Sequence, residues 1–144
     1  MKYRILRFLL FASAFAWAIS IVAVFLPWPL AVAALQNMGG GDIPNDPMLN
    51  YWLRGAAATF TGVGILFFAV ALRPDKYRSM IGLMGSLMFL QGLVMLVYGV
   101  MLELSPFPFY ADAAFCMLVG AVIFYLRNEE KDLNSNKALE DTSQ

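Results

Sequence analysis

Four long runs of uncharged, mostly apolar residues restrict the fold of this chain more than any other feature. They cover residues 8–26, 55–72, 79–102 and 113–126. A helix crosses about 30 Å of hydrocarbon with about 20 apolar residues. The first three runs meet this need, and the fourth meets it once it is extended back to residue 107. The sequence therefore predicts an all-α membrane protein with four transmembrane helices, at approximately 8–26, 53–72, 79–102 and 107–126.

The composition agrees with a chain surrounded by lipid. Of its 144 residues, 60% are hydrophobic and 14% are charged, whereas a soluble domain carries about 25% charged residues. The lack of histidine excludes histidine-ligated haem, most zinc sites and a Ser-His-Asp triad, and the single cysteine excludes a disulfide within the chain. Basic and acidic residues balance at ten each, so we expect no nucleic-acid partner. No metal or cofactor is predicted.

Turn residues between the runs predict how the helices connect. Asp46-Pro47 is typical of an N-cap followed by proline at the first helical position. Prolines within 73–75 and 105–108 end one helix and start the next, which makes both connections tight hairpins in an antiparallel bundle. Only the first connection, 27–50, is long. Its residues 29–38 are apolar enough to form a short interfacial helix, which the glycines at 39–41 would end.

The basic residues predict the orientation of the chain. Nine of the ten precede the first span, separate the second from the third or follow the fourth, and only Arg54 lies on the other side. This distribution predicts both termini in the cytoplasm. Residues 1–127 then form one transmembrane domain, and 128–144 form a polar cytoplasmic tail expected to be disordered. A competing interpretation makes residues 1–33 a cleaved signal peptide, but their apolar run is longer than the usual 7–15 residues.

Small residues predict where the helices approach one another, because helices in lipid associate through close packing. Gly85, Gly92 and Gly99 repeat along one face of the third span, and Gly55 and Gly62 offer a matching surface on the second. We therefore expect the third span to contact at least two others and to lie at the centre of the bundle.

A neighbouring face of the third span carries several methionines around Gln91. Methionine thioethers can bind Cu(I), but soft packing is favoured because the chain has no histidine and no second cysteine. A lone amide such as Gln91 more often bridges two helices than binds a substrate. The members of this face are Met80, Met84, Met88, Gln91, Met95 and Tyr98.

Ionisable residues meet hydrocarbon at the outer ends of the spans. Asp112 lies 15 residues before Arg127, which places it ~22 Å along a helix axis and about 7 Å below the outer boundary. Glu103 reaches the same interface, and Arg54 is the one outer cation. Because a carboxylate in low dielectric must pair, accept hydrogen bonds or become protonated, we hypothesise that Arg54 bridges to Asp112, Glu103 or both. Tyr98, Tyr51 and Thr59 complete this predicted outer cluster.

Two interpretations of the outer cluster stay open. In the structural one, Arg54 is a clamp that ties three helix ends together. In the functional one, the cluster is an anion or headgroup site, or a proton-linked switch at Asp112. Cys116, one helical turn after Asp112, is expected to be an inert core residue rather than a nucleophile.

Two runs of the sequence flank the second predicted span: Asn50-Tyr51-Trp52-Leu53-Arg54-Gly55-Ala56-Ala57-Ala58 and Leu72-Arg73-Pro74-Asp75-Lys76-Tyr77-Arg78. They resemble small bacterial four-helix membrane families, DoxX-like proteins among them. The resemblance extends over residues 5–127 in the layout of the spans. It implies a bacterial cytoplasmic membrane and transfers no catalytic residue.

Three classes of function fit such a scaffold. We favour a non-catalytic accessory or interaction subunit that contacts the bilayer and another membrane protein or a second copy of itself. The alternative is a small-solute or ion transporter or pore, which would need oligomerisation because four helices enclose little room. A lipid- or quinone-linked membrane enzyme is the third class.

Overall fold

The computed structural model describes the backbone of residues 2–104 and 106–142 and the side chains of residues 3–104 and 107–126. Four of its segments are long and apolar enough to cross a membrane: Tyr3–Phe25, Pro47–Leu72, Arg78–Met101 and Phe107–Leu126. The predicted helical fold with four candidate spans is thus confirmed. The helices are α1 (Lys2–Ala18), α2 (Ile21–Phe25), α3 (Trp28–Asn37), α4 (Pro47–Leu72), α5 (Arg78–Met101) and α6 (Pro106–Thr142, with a non-helical residue at Phe107).

The first predicted span is present as one candidate span, Tyr3–Phe25, with a tightened turn between α1 and α2. The Ser20 N–H donates to the Trp17 carbonyl at 3.2 Å, a tightened turn that leaves the Ala16 carbonyl without its usual helical donor. After this break, α2 runs for one more turn before Pro27. Ser20 keeps right-handed helical backbone angles, with φ −58° and ψ −17°, so the break is a local tightening within the span.

The long first connection contains α3, which agrees with the helix predicted over 29–38. Gly39 follows it with a φ of 97°, a left-handed conformation that glycine adopts without a steric cost. At the start of α4, the predicted N-cap is confirmed, since the Asp46 carboxylate accepts from the Met48 N–H at 2.7 Å. Whether α3 lies on a membrane surface stays a prediction.

The helices α1 and α4 form one antiparallel pair. At one end the Arg7 Nε donates to the Ala71 carbonyl at 3.2 Å, and at the other the rings of Trp17 and Phe60 meet edge to face with centroids 5.1 Å apart. Between them Gly64 lies so close to α1 that a Cβ on it would fall 2.5 Å from the Ala18 nitrogen. Gly64 therefore sets the separation of the two backbones.

The helices α5 and α6 form the second antiparallel pair, and glycines again determine the approach. A Cβ on Gly92 would lie 2.8 Å from the Ala113 carbonyl oxygen, and one on Gly120 would lie 2.7 Å from the Gly85 carbonyl oxygen. The two backbones are therefore so close at these glycines that no room remains between them for a methyl side chain. The contact face predicted from Gly85 and Gly92 is real, but its partner is α6.

The two pairs meet mainly along α1 and α6, and α4 barely touches α5 although only residues 73–77 connect them. The Ser13 hydroxyl reaches the Met88 sulfur at 3.7 Å and helps to join the pairs. The third span is therefore not the centre of the bundle, because its glycine face is used for α6 alone. The core between the helices contains Leu6, Leu10, Phe67, Val70, Ile81, Met84 and Ile123.

Three of the glycines named from the sequence do not mediate close packing. A Cβ on Gly55 or Gly62 would meet nothing within 4 Å, and one on Gly99 would make only an ordinary contact with Tyr110 at 3.7 Å. The expected small-residue match between the second and third spans is therefore wrong. The reason is geometric: α4 turns Gly64 towards α1 and leaves its other glycines facing open space.

At the other end of the chain, α6 extends past its candidate span to Thr142. It thereby enters the polar segment for which the sequence predicts disorder. Continuing a helix that already exists avoids the cost of nucleating one, which is a physical reason for the extension. The three basic residues that follow the fourth span are Arg127, Lys131 and Lys137. Their side chains lie outside the described residues, as do residues 143–144.

Candidate functional site

Arg54 lies near the start of α4, and its guanidinium holds the end of α2. Nη2 donates to the Leu26 carbonyl at 3.0 Å, Nη1 donates to the Val24 carbonyl, and Nε donates to Asn50 Oδ1 at 2.8 Å. The last carbonyls of a helix have no partner within it, and Pro27 prevents α2 from continuing. Arg54 supplies the missing donors, so it acts as a C-terminal cap contributed by another helix.

This arrangement corrects the expected bridge from Arg54 to the carboxylates. Among the residues that the structure describes, no hydrogen bond or ion pair joins Arg54 to Asp112 or Glu103. The guanidinium donates to carbonyls that the break in the first span brings next to α4. A structural clamp is therefore present, but it ties α2 to α4 rather than joining three charged groups.

The other members of the predicted outer cluster are also dispersed. Tyr51 is exposed and stacks edge to face on its neighbour Trp52. The hydroxyl of Thr59 donates to the Gly55 carbonyl within its own helix at 2.9 Å, and Tyr98 lies exposed on α5. These side chains do not assemble into a polar pocket.

Glu103 has a local role that the sequence did not reveal. It follows the end of α5 with a φ of 51°, and the next N–H, of Leu104, donates back to the Gly99 carbonyl at 3.0 Å. This hydrogen bond ends the helix in a left-handed turn, at a position where glycine is the usual residue. Glu103 thus carries both a strained backbone and a negative charge at a helix C-terminus.

Glu103→Gly should therefore stabilise the protein. We expect the free energy of unfolding to rise by about 1 kcal/mol, because glycine adopts this φ without strain. Thermal unfolding in detergent measures the change. Glu103→Ala removes the charge and keeps the strain, so it should gain less than half as much; an equal gain in both variants would assign the effect to charge instead.

A cavity of about 440 Å³ lies where the two helix pairs meet. Its wall comes from four helices: α1 at the break, α4, α5 and α6. Aromatic rings form much of the surface, and polar groups enter it from three sides. The lining residues are Ala16, Trp17, Ser20, Phe60, Gln91, Met95, Asp112, Phe115 and Cys116.

Two polar side chains of this cavity have no protein partner. Within the described side chains, the Gln91 amide and the Asp112 carboxylate form no hydrogen bond or ion pair, and both can receive one, since Gln91 is half-buried and Asp112 is exposed. The Trp17 Nε1 also makes no hydrogen bond, but it is fully buried and is not open to a ligand. An unpaired polar group within a membrane span costs free energy.

A second cavity, of about 400 Å³, adjoins the first and lies between α4 and α5. Trp17, Phe60 and Gln91 line both cavities, and the rest of the second wall is almost entirely apolar. It exists because α4 and α5 splay apart instead of packing together. The two cavities adjoin at these three residues, and together they make up a cleft that is polar at the end near Asp112 and apolar along the α4–α5 gap.

Sequence reasoning found part of this site. It named Asp112 as the carboxylate within a span, and it expected Gln91 to bridge helices, whereas the structure places Gln91 in the cleft. It missed Trp17 and Phe60, since an aromatic residue in a span is ordinary. Cys116 is buried as expected, although its helix turn also lines the larger cavity.

Among the described residues, no group of three His, Cys, Asp or Glu side chains lies close enough together to hold a metal ion. The polar end of the cleft offers one carboxylate, one thiol, one amide and one hydroxyl, from Asp112, Cys116, Gln91 and Ser20. No family model, curated protein or solved structure matches this chain.

Proposed function

We propose that this chain is a non-catalytic integral membrane protein whose cleft binds a lipid-soluble, amphipathic molecule. The polar end of the ligand would lie beside Asp112 and Gln91, and its apolar part would lie between α4 and α5. The observation that carries this proposal is the cleft, because it places the Gln91 amide and the Asp112 carboxylate, which have no partner among the described side chains, next to an apolar groove within the candidate spans.

The size of the cleft supports this function. Each cavity, at about 440 and 400 Å³, falls within the range of roughly 300–1,000 Å³ in which proteins bind small molecules. The gap between α4 and α5 gives such a molecule a route from the bilayer that does not pass through water. Entry would require no large rearrangement, since these two helices already lie apart.

Photolabelling in lipid nanodiscs tests this proposal. The probe is a sixteen-carbon fatty alcohol that carries a diazirine, and mass spectrometry locates the modified residues. We expect saturable labelling around Phe60 and Gln91, in contrast to labelling of outward-facing residues that rises linearly with probe concentration. Linear labelling everywhere would contradict a specific site.

A matched pair of variants distinguishes labelling within the cleft from labelling by probe in the surrounding bilayer. Ala16→Phe fills the larger cavity and should abolish most of the saturable labelling. Ala114→Phe adds the same ring to an exposed position of α6 that lines neither cavity, and should leave the labelling unchanged. Equal loss in both variants would mean that the labelling reports general disturbance of the bundle.

We also propose the setting in which this binding takes place. The distribution of basic residues supports both termini in the cytoplasm, and the resemblance to DoxX-like proteins supports a bacterial cytoplasmic membrane. Within that membrane the chain would act as an accessory or interaction subunit of another membrane protein, or as a homo-oligomer. Transport by an oligomer and a lipid- or quinone-linked enzyme stay predictions from the sequence.

A further inference from the structure

We infer that the molecule bound in the cleft is an organic cation, an amine or quaternary ammonium compound with an apolar body. This inference rests on the proposed function and specifies its ligand class. It follows from the charge and the ring content of the larger cavity, which together are the features that recognise such cations.

The first of these features is a negative charge in the larger cavity. Asp112 contributes the carboxylate of the larger cavity, and within the described part of the chain no basic side chain pairs with it. Arg54, the partner expected from the sequence, uses its donors on Val24, Leu26 and Asn50. A carboxylate at membrane depth is costly unless it is paired. A ligand that brings one positive charge completes this pair.

The aromatic rings provide the second feature. Trp17, Phe60 and Phe115 line the same cavity as Asp112, and Trp17 and Phe60 meet edge to face with centroids 5.1 Å apart. Aromatic faces attract ammonium groups, most strongly where water is excluded. A neutral ligand would gain from these rings by apolar contact alone, whereas a cation gains from both the rings and the carboxylate.

The shape of the cleft determines what apolar body the ligand can carry. The smaller cavity continues from Phe60 and Gln91 along an apolar wall that includes Val63 and Leu87. This groove suits an aromatic or hydrocarbon body rather than a small hydrated ion. The ligand class is therefore an amphipathic monovalent cation that reaches the cleft from the bilayer.

Equilibrium binding of radiolabelled tetraphenylphosphonium to the full chain in phosphatidylcholine nanodiscs tests the inference, with empty nanodiscs as background. We expect saturable binding that benzyltrimethylammonium displaces and that triphenylphosphine oxide, a neutral analogue, does not. Asp112→Asn should weaken the affinity about tenfold or more. Asp112→Glu keeps the charge and should retain binding, and Glu103→Gln, at the end of α5 and outside the cleft, should leave it unchanged.

Two results would overturn the inference. One is equal displacement by the neutral analogue, which would indicate that Asp112 and Gln91 recognise an uncharged hydrogen-bonding group. The other is unchanged affinity in Asp112→Asn, with its folding verified by thermal unfolding in the same nanodiscs. Either result leaves saturable photolabelling by the neutral fatty alcohol intact, so the failure of the cation inference is distinguishable from the failure of the proposed function.

Discussion

Gly64→Ala should destabilise the protein by about 2–3 kcal/mol, since the added methyl group has nowhere to go. Its Cβ would lie 2.5 Å from the Ala18 nitrogen and 2.9 Å from the Ala14 carbonyl oxygen. Both are backbone atoms of α1, so no side chain can move aside to make room. The variant must push α1 away from α4, and the break after Ala18 would shift with it. Denaturant titration in mixed micelles measures the loss of unfolding free energy.

Gly62→Ala is the matched control for this substitution. The two glycines lie two residues apart in α4, but a Cβ on Gly62 meets nothing within 4 Å. Alanine there should be neutral or stabilising by up to about 0.5–1 kcal/mol, because glycine is a poor helix former. Equal effects of the two substitutions would show that Gly64 does not set the distance between α1 and α4.

Arg54→Met should lower the unfolding free energy by about 2–4 kcal/mol. It removes three hydrogen bonds from a charged donor and leaves the Val24 and Leu26 carbonyls without partners. Arg54→Lys should recover only part of this loss, because an ammonium group lacks the planar fork that reaches several acceptors. Thermal unfolding of both variants in the same detergent gives the comparison.

Comparing substitutions of Arg54 and Asp112 tests whether Arg54 caps α2 or forms an ion pair with Asp112. Asp112→Asn should leave the free energy of unfolding unchanged or raise it, since Arg54 makes no bond to Asp112 and the substitution removes an unpaired carboxylate from a membrane span. If Arg54 and Asp112 were paired, removing either side chain would be costly, and a double-mutant cycle would show a coupling energy. Additive effects of the two substitutions are the expected outcome.

The candidate spans and several of their ends could be predicted from the sequence. Hydrocarbon thickness fixes the length of an apolar run, and local chemistry fixes the N-cap at Asp46. The glycine spacing on α5 likewise indicated a contact face at Gly85 and Gly92. These features depend on residues close together in the chain, so the sequence displays them directly.

The pairing of the helices could not be predicted in the same way. Gly64 and Gly120 determine which helices meet, but a glycine in a span does not show which backbone lies opposite it. Nor does the sequence near Ser20 contain the proline or glycine that usually marks a break. Because the break was hidden, the carbonyls that engage Arg54 were hidden too, and the carboxylates appeared to be its natural partners. The cleft itself is a consequence of the pairing.

Cysteine cross-linking tests the pairing most directly, in a Cys116→Ser background. Phe11→Cys with Phe68→Cys spans the α1–α4 contact, where the two rings lie 5.7 Å apart, and Leu66→Cys with Leu87→Cys spans the α4–α5 gap. With a short rigid bismaleimide in nanodiscs, we expect rapid cross-linking of the first pair and little of the second. Equally rapid cross-linking of the second pair would place α4 against α5, close the cleft and contradict the account.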